Sequence, residues 1–251
     1  MLFNYHTHTK RCHHATGEDR EYVEAAIAAG VKTLGFSDHA PYIFPNDFRS
    51  GHRIEPEELF SYAESVRALA KEYEKDVRIL CGFELEYYPA HHKEAMAFLQ
   101  QITPDYLILG QHSLNNEYDG FYVHNHPQEE VVSAYVAQTI EGLATGDFAY
   151  LAHPDLVGWV ENSELAKREY RRLCKYAKEK NIPLELNLLG VRGNRCYPAR
   201  PFWEIAGEVG ANVVIGVDAH EPQAFLQKSA EETALQLVKD LGLNLIEEPF
   251  L

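Results

Sequence analysis

Cysteine is scarce in this chain. Four residues in 251, Cys12, Cys81, Cys174 and Cys196, stand far apart with no C-x-x-C pair, which argues against a disulfide scaffold or a structural zinc knuckle and for free thiols. Positive charge is also short: 23 Lys and Arg face 38 Asp and Glu, a formal charge of −15. Binding to nucleic acid rests on cationic neutralisation of phosphates, so a long polyanionic partner is not expected. No apolar run approaches the ~18 residues of a membrane span, and the start Met-Leu-Phe-Asn-Tyr-His is too short for a signal peptide. A soluble, cytoplasmic protein without membrane contact is expected. No Pro-, Gly- or Ser-dominated linker and no internal repeat divides the sequence, so 1–251 is expected to be a single domain.

Histidine is abundant, with thirteen residues. Their placement matters more than their number. His6, His8, His14, His39, Glu84, His112, His153, Asp218 and His220 are metal-competent, and nearly all follow short apolar, strand-like runs. Strands are expected over 2–6, 33–37, 77–83, 106–109, 149–152, 184–188 and 213–217. Helical periodicity fills the intervals, notably after Gly17-Glu18-Asp19, over 55–73, where Pro56 and three glutamates suit a first turn, and over 127–143, 163–178 and 222–241. Strict alternation implies a parallel sheet, and a chain of this length can close it into a distorted (β/α)7, TIM-barrel-like α/β fold.

Chemistry in such folds sits at the C-terminal ends of the strands. His6 and His8, two apart on an extended segment, share a face, as do Asp218 and His220. One histidine at a strand end is an ordinary turn or core residue, and an isolated H-x-H is commonly a surface pair. Recurrence at five or more strand ends, with carboxylates at two others, points to a metal centre and to metal-assisted hydrolysis. Glu86 shares the face of Glu84, leaving two carboxylates to choose between. His52, His91, His92, His124 and His126 fall in polar or helical stretches and read as surface residues. His124 and His126 are a partial exception, because the 115–127 segment can form a loop covering a substrate.

The segments His6-Thr7-His8-Thr9, Phe36-Ser37-Asp38-His39, Gly82-Phe83-Glu84, Gly110-Gln111-His112-Ser113, Ala152-His153-Pro154 and Gly216-Val217-Asp218-Ala219-His220 resemble, in order, the motifs of the PHP (polymerase and histidinol phosphatase) superfamily. His39-Ala40-Pro41 and the Asn187-Leu188-Leu189-Gly190-Val191-Arg192 stretch resemble its histidinol-phosphatase group. The resemblance implies up to three divalent ions, zinc, iron or manganese. His6, His8, Glu84 and Asp218 would hold the first, His14, His39 and His220 the second, and Glu84, His112 and His153 the third, with Glu84 bridging. Spacing from His8 favours His14, with His13 as its rival. Val217 stands where many relatives carry Ser, which bears on a supporting hydrogen bond and not on a ligand.

The function implied is hydrolysis of a small phosphate monoester, L-histidinol phosphate first, in histidine biosynthesis. Another PHP substrate (a nucleotide, an oligonucleotide or a phosphotyrosyl protein) and a noncatalytic metal-binding barrel are the alternatives. Asp218 or a metal-coordinated water is the expected proton donor to the leaving alcohol. Arg192 is the expected phosphate clamp because guanidinium offers a two-pronged fork, with Arg53, Arg195 and Arg200 as competitors.

Overall fold

Strand β1 is two residues long, Phe3–Asn4, although the apolar run predicts a strand to His6. The cause is the fully buried Asn4 side chain. Its amide nitrogen donates to His6 O (3.2 Å) and Thr7 Oγ1 (2.7 Å), and its oxygen accepts from Val217 N (2.8 Å). A side-chain amide thus meets backbone groups that a regular ladder would otherwise satisfy. The computed structural model describes residues 1–246. They fold as two compact units, each assembled from discontinuous segments: Met1–Leu85, Pro89–Ile108 and Val217–Lys228 in the first, and Glu86–Tyr88, Leu109–Gly216 and Ser229 onward in the second.

In the first unit α1 (Asp19–Ala28) leads to β2 (Thr33–His39), α2 (Leu59–Glu72), β3 (Arg78–Leu85), α3 (His92–Leu99) and β4 (Tyr106–Leu109), and the sheet order is β1-β2-β3-β4. The Glu21 carboxylate accepts from Glu18 N at 2.7 Å, meeting one of the amides that a helix start leaves open. Where a single helix over 55–73 is expected, a 3-10 turn at Pro56–Glu58 precedes α2, which ends at Glu72. All seven residues of β2 are buried, as a strand with both faces covered requires. Its parallel register with β3 runs from Thr33 opposite Arg78 to His39 opposite Glu84, so two expected ligands end side by side.

The Tyr106 ring crosses this sheet and dictates two glycines. A Cβ on Gly35 would stand 2.2 Å from the Tyr106 hydroxyl, and one on Gly82 would stand 2.5 Å from the ring. The hydroxyl lies 2.8 Å from Tyr5 O and 3.0 Å from Phe36 O, joining the segments that carry His6 and His39.

The second unit contains an antiparallel hairpin, β5 (Ser113–Leu114) and β6 (Phe121–Tyr122), followed by α4 (Glu129–Ala144), α5 (Glu164–Glu179), β7 (Leu184–Asn187), α6 (Leu188–Arg192), α7 (Arg200–Val209), β8 (Asn212–Gly216), α8 (Lys228–Leu241) and β9 (Asn244–Leu245). Strands β7, β8 and β9 pair in parallel. The strand expected over 149–152 contracts to Leu151, which bridges Leu109 on one side and Leu184 on the other. His153, at φ 28°, turns the chain out of extended geometry immediately afterwards. Asn187 likewise ends β7 by capping α6, its side chain accepting from Gly190 N at 3.1 Å, so Arg192 closes a helical turn. The helix expected over 222–241 splits at Gln227 into a 3-10 turn (Pro222–Leu226) and α8.

One buried carboxylate anchors the turn after His153. Asp155 accepts from Ala199 N (2.6 Å) and Trp203 Nε1 (3.1 Å), and burial pushes its carboxyl up to about 7. Asp155→Ala strands one buried and one half-buried donor and is expected to cost about 2–4 kcal/mol in urea unfolding. Asp155→Asn keeps an oxygen that can accept both, and should cost less than half as much. Equal losses would show that the two hydrogen bonds are not what anchors the turn.

Candidate metal centre

The first unit gathers seven of the nine expected ligands. Thr7 and Ala219 form a parallel bridge, and His8 N donates to Ala219 O at 2.9 Å. That register sets His6 and His8 beside Asp218 and His220, because residues flanking a bridged pair share the opposite face. Asp218 Oδ1 lies 3.6 Å from His6 Nε2, 3.2 Å from His8 Nε2 and 3.2 Å from His220 Nδ1. Glu84 Oε2 lies 3.5 Å from His6 Nε2, 3.5 Å from His8 Nε2 and 3.1 Å from His39 Nδ1.

His14 closes the group. It follows a 3-10 turn at Lys10–Cys12, and its ring centre is 4.7 Å from that of His220 and 5.2 Å from that of His39. Its Nδ1 is 2.7 Å from Cys12 O, a bond that fixes the hydrogen there and turns Nε2 the other way. His13, at φ 66°, instead faces Glu55 Oε1 at 3.7 Å, with its side chain 44% exposed. The geometry therefore separates His14, which spacing favours, from its rival His13.

Electrostatics sort the group further. Burial would raise the Asp218 carboxyl, but His6, His220 and His8 hold it well below the usual carboxylate range. Burial would lower His8, yet Asp218, Asp38 and Glu84 outweigh it and carry the imidazole up to about 9. Burial, with His220 and His8 beside it, depresses His14 to about 4, and burial with His8 lowers His220. Neutral imidazoles and ionised carboxylates are the forms that ligate metal, and the proton on His8 is one that a cation would displace.

The donor set fits divalent transition metals. Atoms bound to one ion at about 2.1 Å stand roughly 3–3.5 Å from each other, and the imidazole-to-carboxylate separations span that range. His6, His8 and Glu84 form one group of converging ligand atoms, and His8, His39 and His220 form another. Mixed imidazole and carboxylate donors suit zinc, iron and manganese.

The second unit brings together His112 and His153, whose ring centres are 4.8 Å apart. Glu86 is buried beside His112, with Oε1 3.3 Å from its Nδ1 and Oε2 accepting from Ser113 N (3.0 Å), from His112 N (3.3 Å) and from the Tyr88 hydroxyl. His153 N donates to Glu185 Oε2 at 3.1 Å. Tyr197 sets its ring 5.9 Å from both His153 and His124, and its hydroxyl accepts from Arg195 Nη1 at 3.1 Å. Burial, then Arg195, lowers His124 to about 4, and the residue is half-buried, unlike the surface histidines among which the sequence made it a partial exception.

Of the arginines, Arg192 is half-buried at the end of α6, and Arg200 is exposed and paired with Glu204 at 3.1 Å. Arg53, in the first unit, is buried. It donates to Ala40 O at 2.8 Å and lies 5.2 Å from the Tyr42 ring centre. Asp38, in the first unit, and Glu185, in the second, are buried carboxylates touching expected ligands that spacing does not single out. The one signal for Asp38 is its place between Ser37 and His39.

A mixed α/β fold with parallel sheets, carrying buried imidazoles and carboxylates beyond strand ends, defines a metal-binding α/β protein. The chain belongs to the PHP domain family, whose model matches residues 4–188. It is 28% identical over 250 residues to a probable histidinol-phosphatase of Deinococcus radiodurans, covering 96% of this chain and 94% of that protein. Among solved structures, it is similar to the histidinol phosphate phosphatase of Lactococcus lactis subsp. lactis complexed with zinc, L-histidinol and phosphate (TM-score 0.76, 18% identity, 98% of this chain and 95% of that one). The putative histidinol phosphatase of Listeria monocytogenes is similar too (TM-score 0.75, 20% identity, 91% and 99%).

Proposed function

We propose that the chain is a metal-dependent phosphomonoesterase that hydrolyses L-histidinol phosphate to L-histidinol and phosphate in histidine biosynthesis. The observation that carries this reading is the convergence of His6, His8, His14, His39, Glu84, Asp218 and His220, five imidazoles and two carboxylates at metal-ligand spacing. The names of the full-length relatives supply the substrate. His6, His8, Glu84 and Asp218 are assigned to one ion, His14, His39 and His220 to a second, and His112 and His153 to a further one. Bound divalent ions lower the pKa of water toward neutrality and neutralise phosphate oxygens.

In this reading the chain's own groups hold and orient the monoester. The P–O bond to water forms as the ester P–O bond breaks, and the leaving alcohol must gain a proton. Asp218 is assigned to pass a proton at a carboxylate oxygen from the attacking water to the leaving alcohol. Arg192 is assigned to grip the phosphate by its fork. We also take the strands to close a (β/α)7-like barrel forming one catalytic domain over 1–251. Parallel pairing in both larger sheets supports the barrel.

No helix among the described residues is long and apolar enough to cross a membrane. The four free cysteines favour a cytoplasmic setting. The test is a side-by-side turnover measurement on histidinol phosphate, a nucleotide monophosphate and a phosphotyrosyl peptide, with elemental analysis of the same preparation. Histidinol phosphate should lead in kcat/KM, with two to three transition-metal ions per chain. A different leading substrate overturns the specificity, and one ion or fewer at saturating supply overturns the ligand assignment.

A further inference from the structure

Asp38 lies behind the donor set and is tied to it on several sides. Its carboxylate is fully buried. Oδ2 accepts from Thr9 N (3.1 Å) and from the Thr9 hydroxyl, and Oδ1 accepts from His39 N (2.8 Å) and lies 3.3 Å from His8 Nδ1. An ionised carboxylate only accepts, so the His8 nitrogen facing it must carry the hydrogen. His8 Nε2, on the opposite edge of the ring, lies 3.2 Å from Asp218 Oδ1 and 3.5 Å from Glu84 Oε2. A neutral His8 that keeps its bond to Asp38 therefore has one available tautomer, with Nδ1 protonated and the Nε2 lone pair turned toward Asp218 and Glu84.

We propose that Asp38 is a positioning residue, which sets the tautomer and ring plane of His8 and, through the amides of Thr9 and His39, holds two ligand-bearing segments in place before a cation arrives. The assignment rests on the metal-centre reading above. The physical logic is that of a carboxylate behind a ligating imidazole, which raises the ligand's basicity and removes the cost of orienting it. Asp38 lies in β2, thirty residues from His8 in sequence, so the contact also couples the end of β2 to the segment after β1.

The second unit repeats the device with different residues. Glu86 sets Oε1 3.3 Å from His112 Nδ1, and its Oε2 takes the amides of His112 and Ser113. In both places a buried carboxylate meets the Nδ1 edge of an expected ligand and is itself fixed by backbone amides beside an expected ligand. Two independent instances argue against chance.

The test is zinc binding by chelator competition, with no phosphate ester present, on wild type, Asp38→Asn and Asp38→Ala, together with 15N imidazole spectra of the zinc-loaded wild type. Both variants should bind their tightest zinc about 10–100-fold more weakly than wild type. Asn should lose less than Ala, because one oxygen survives to accept. Wild-type His8 should show a hydrogen on Nδ1 and zinc on Nε2. Zinc on His8 Nδ1 overturns the proposal even if neither variant folds. Unchanged affinity in folded variants overturns it while leaving the metal-centre reading intact. A wild type that takes up no zinc overturns both.

Discussion

Glu84→Gln is expected to lower turnover by at least about a thousand-fold, roughly 4 kcal/mol of transition-state stabilisation, and to empty more than one metal position while the chain still folds. One oxygen of Glu84 lies within 3.1–3.5 Å of imidazole nitrogens from His6, His8 and His39, which the proposed reading assigns to two different ions. Glutamine has the same size, so the sheet register that puts position 84 opposite His39 survives. It lacks the negative charge that lets one side chain stabilise two cations, and leaves Asp218 as the remaining carboxylate of the expected donor set. Glu86→Gln should be far milder, about tenfold, because Glu86 touches the Nδ1 edge of His112 and backbone amides, and an amide oxygen can still accept from those amides. Elemental analysis and kcat/KM on histidinol phosphate decide it. Two variants with equal losses would mean that the wrong carboxylate has been taken as the ligand.

The difference between these two glutamates shows what a linear sequence can and cannot reveal. Both lie on one face of one strand pattern, and periodicity treats them alike. In the structure they diverge at the end of β3: Glu84, inside the strand, meets His6, His8 and His39, while Glu86, beyond its last residue Leu85, meets His112, Ser113 and Tyr88. The convergence of the expected ligands was legible for a physical reason. Parallel strands deliver their last residues to a common edge, and i, i+2 pairs share a face, so strand-end histidines and carboxylates can be read from apolar runs alone. His6, His8, Asp218 and His220 meet in this way across the Thr7–Ala219 bridge.

What escaped the sequence depends on side chains competing with backbone. Asn4 shortens β1, Asn187 turns the end of β7 into a helix cap, and the positive φ of His153 limits its strand to Leu151. None of these effects changes hydrophobic periodicity. His13 and His14 are likewise identical to hydrophobic periodicity; only the spacing from His8 favours His14, and the bond from His14 to Cys12 O and the approach of His13 to Glu55 separate them in space. Asp38 was hidden most completely, because its role lies in the donors it accepts, and these come from two separate segments.

Arg192→Ala is expected to leave metal content intact and reduce kcat/KM on histidinol phosphate by about 30- to 1,000-fold, roughly 2–4 kcal/mol, the scale of removing one charge-assisted hydrogen bond from a desolvated site. The residue stands half-buried at the end of α6, where the Asn187 cap fixes the turn that carries it. Arg192→Lys should recover only part of the loss, because an ammonium supplies charge without the two-pronged fork. A solvated arginine would behave otherwise, since exposed charges contribute little and are screened by salt, so kcat/KM would barely move at low or moderate ionic strength. If Arg192→Ala matches wild type, the clamp must be sought elsewhere, and the structure ranks the alternatives. Arg200 is exposed and already paired with Glu204, while Arg195 is exposed and held by Tyr197. Arg53 is buried, and the hydrogen bond from Ile54 N to His39 O brings its segment beside an expected ligand, so it becomes the first candidate. Steady-state kinetics on Arg192→Ala and Arg53→Ala, with zinc content measured in parallel, would assign the phosphate grip to whichever variant loses turnover and keeps its metal.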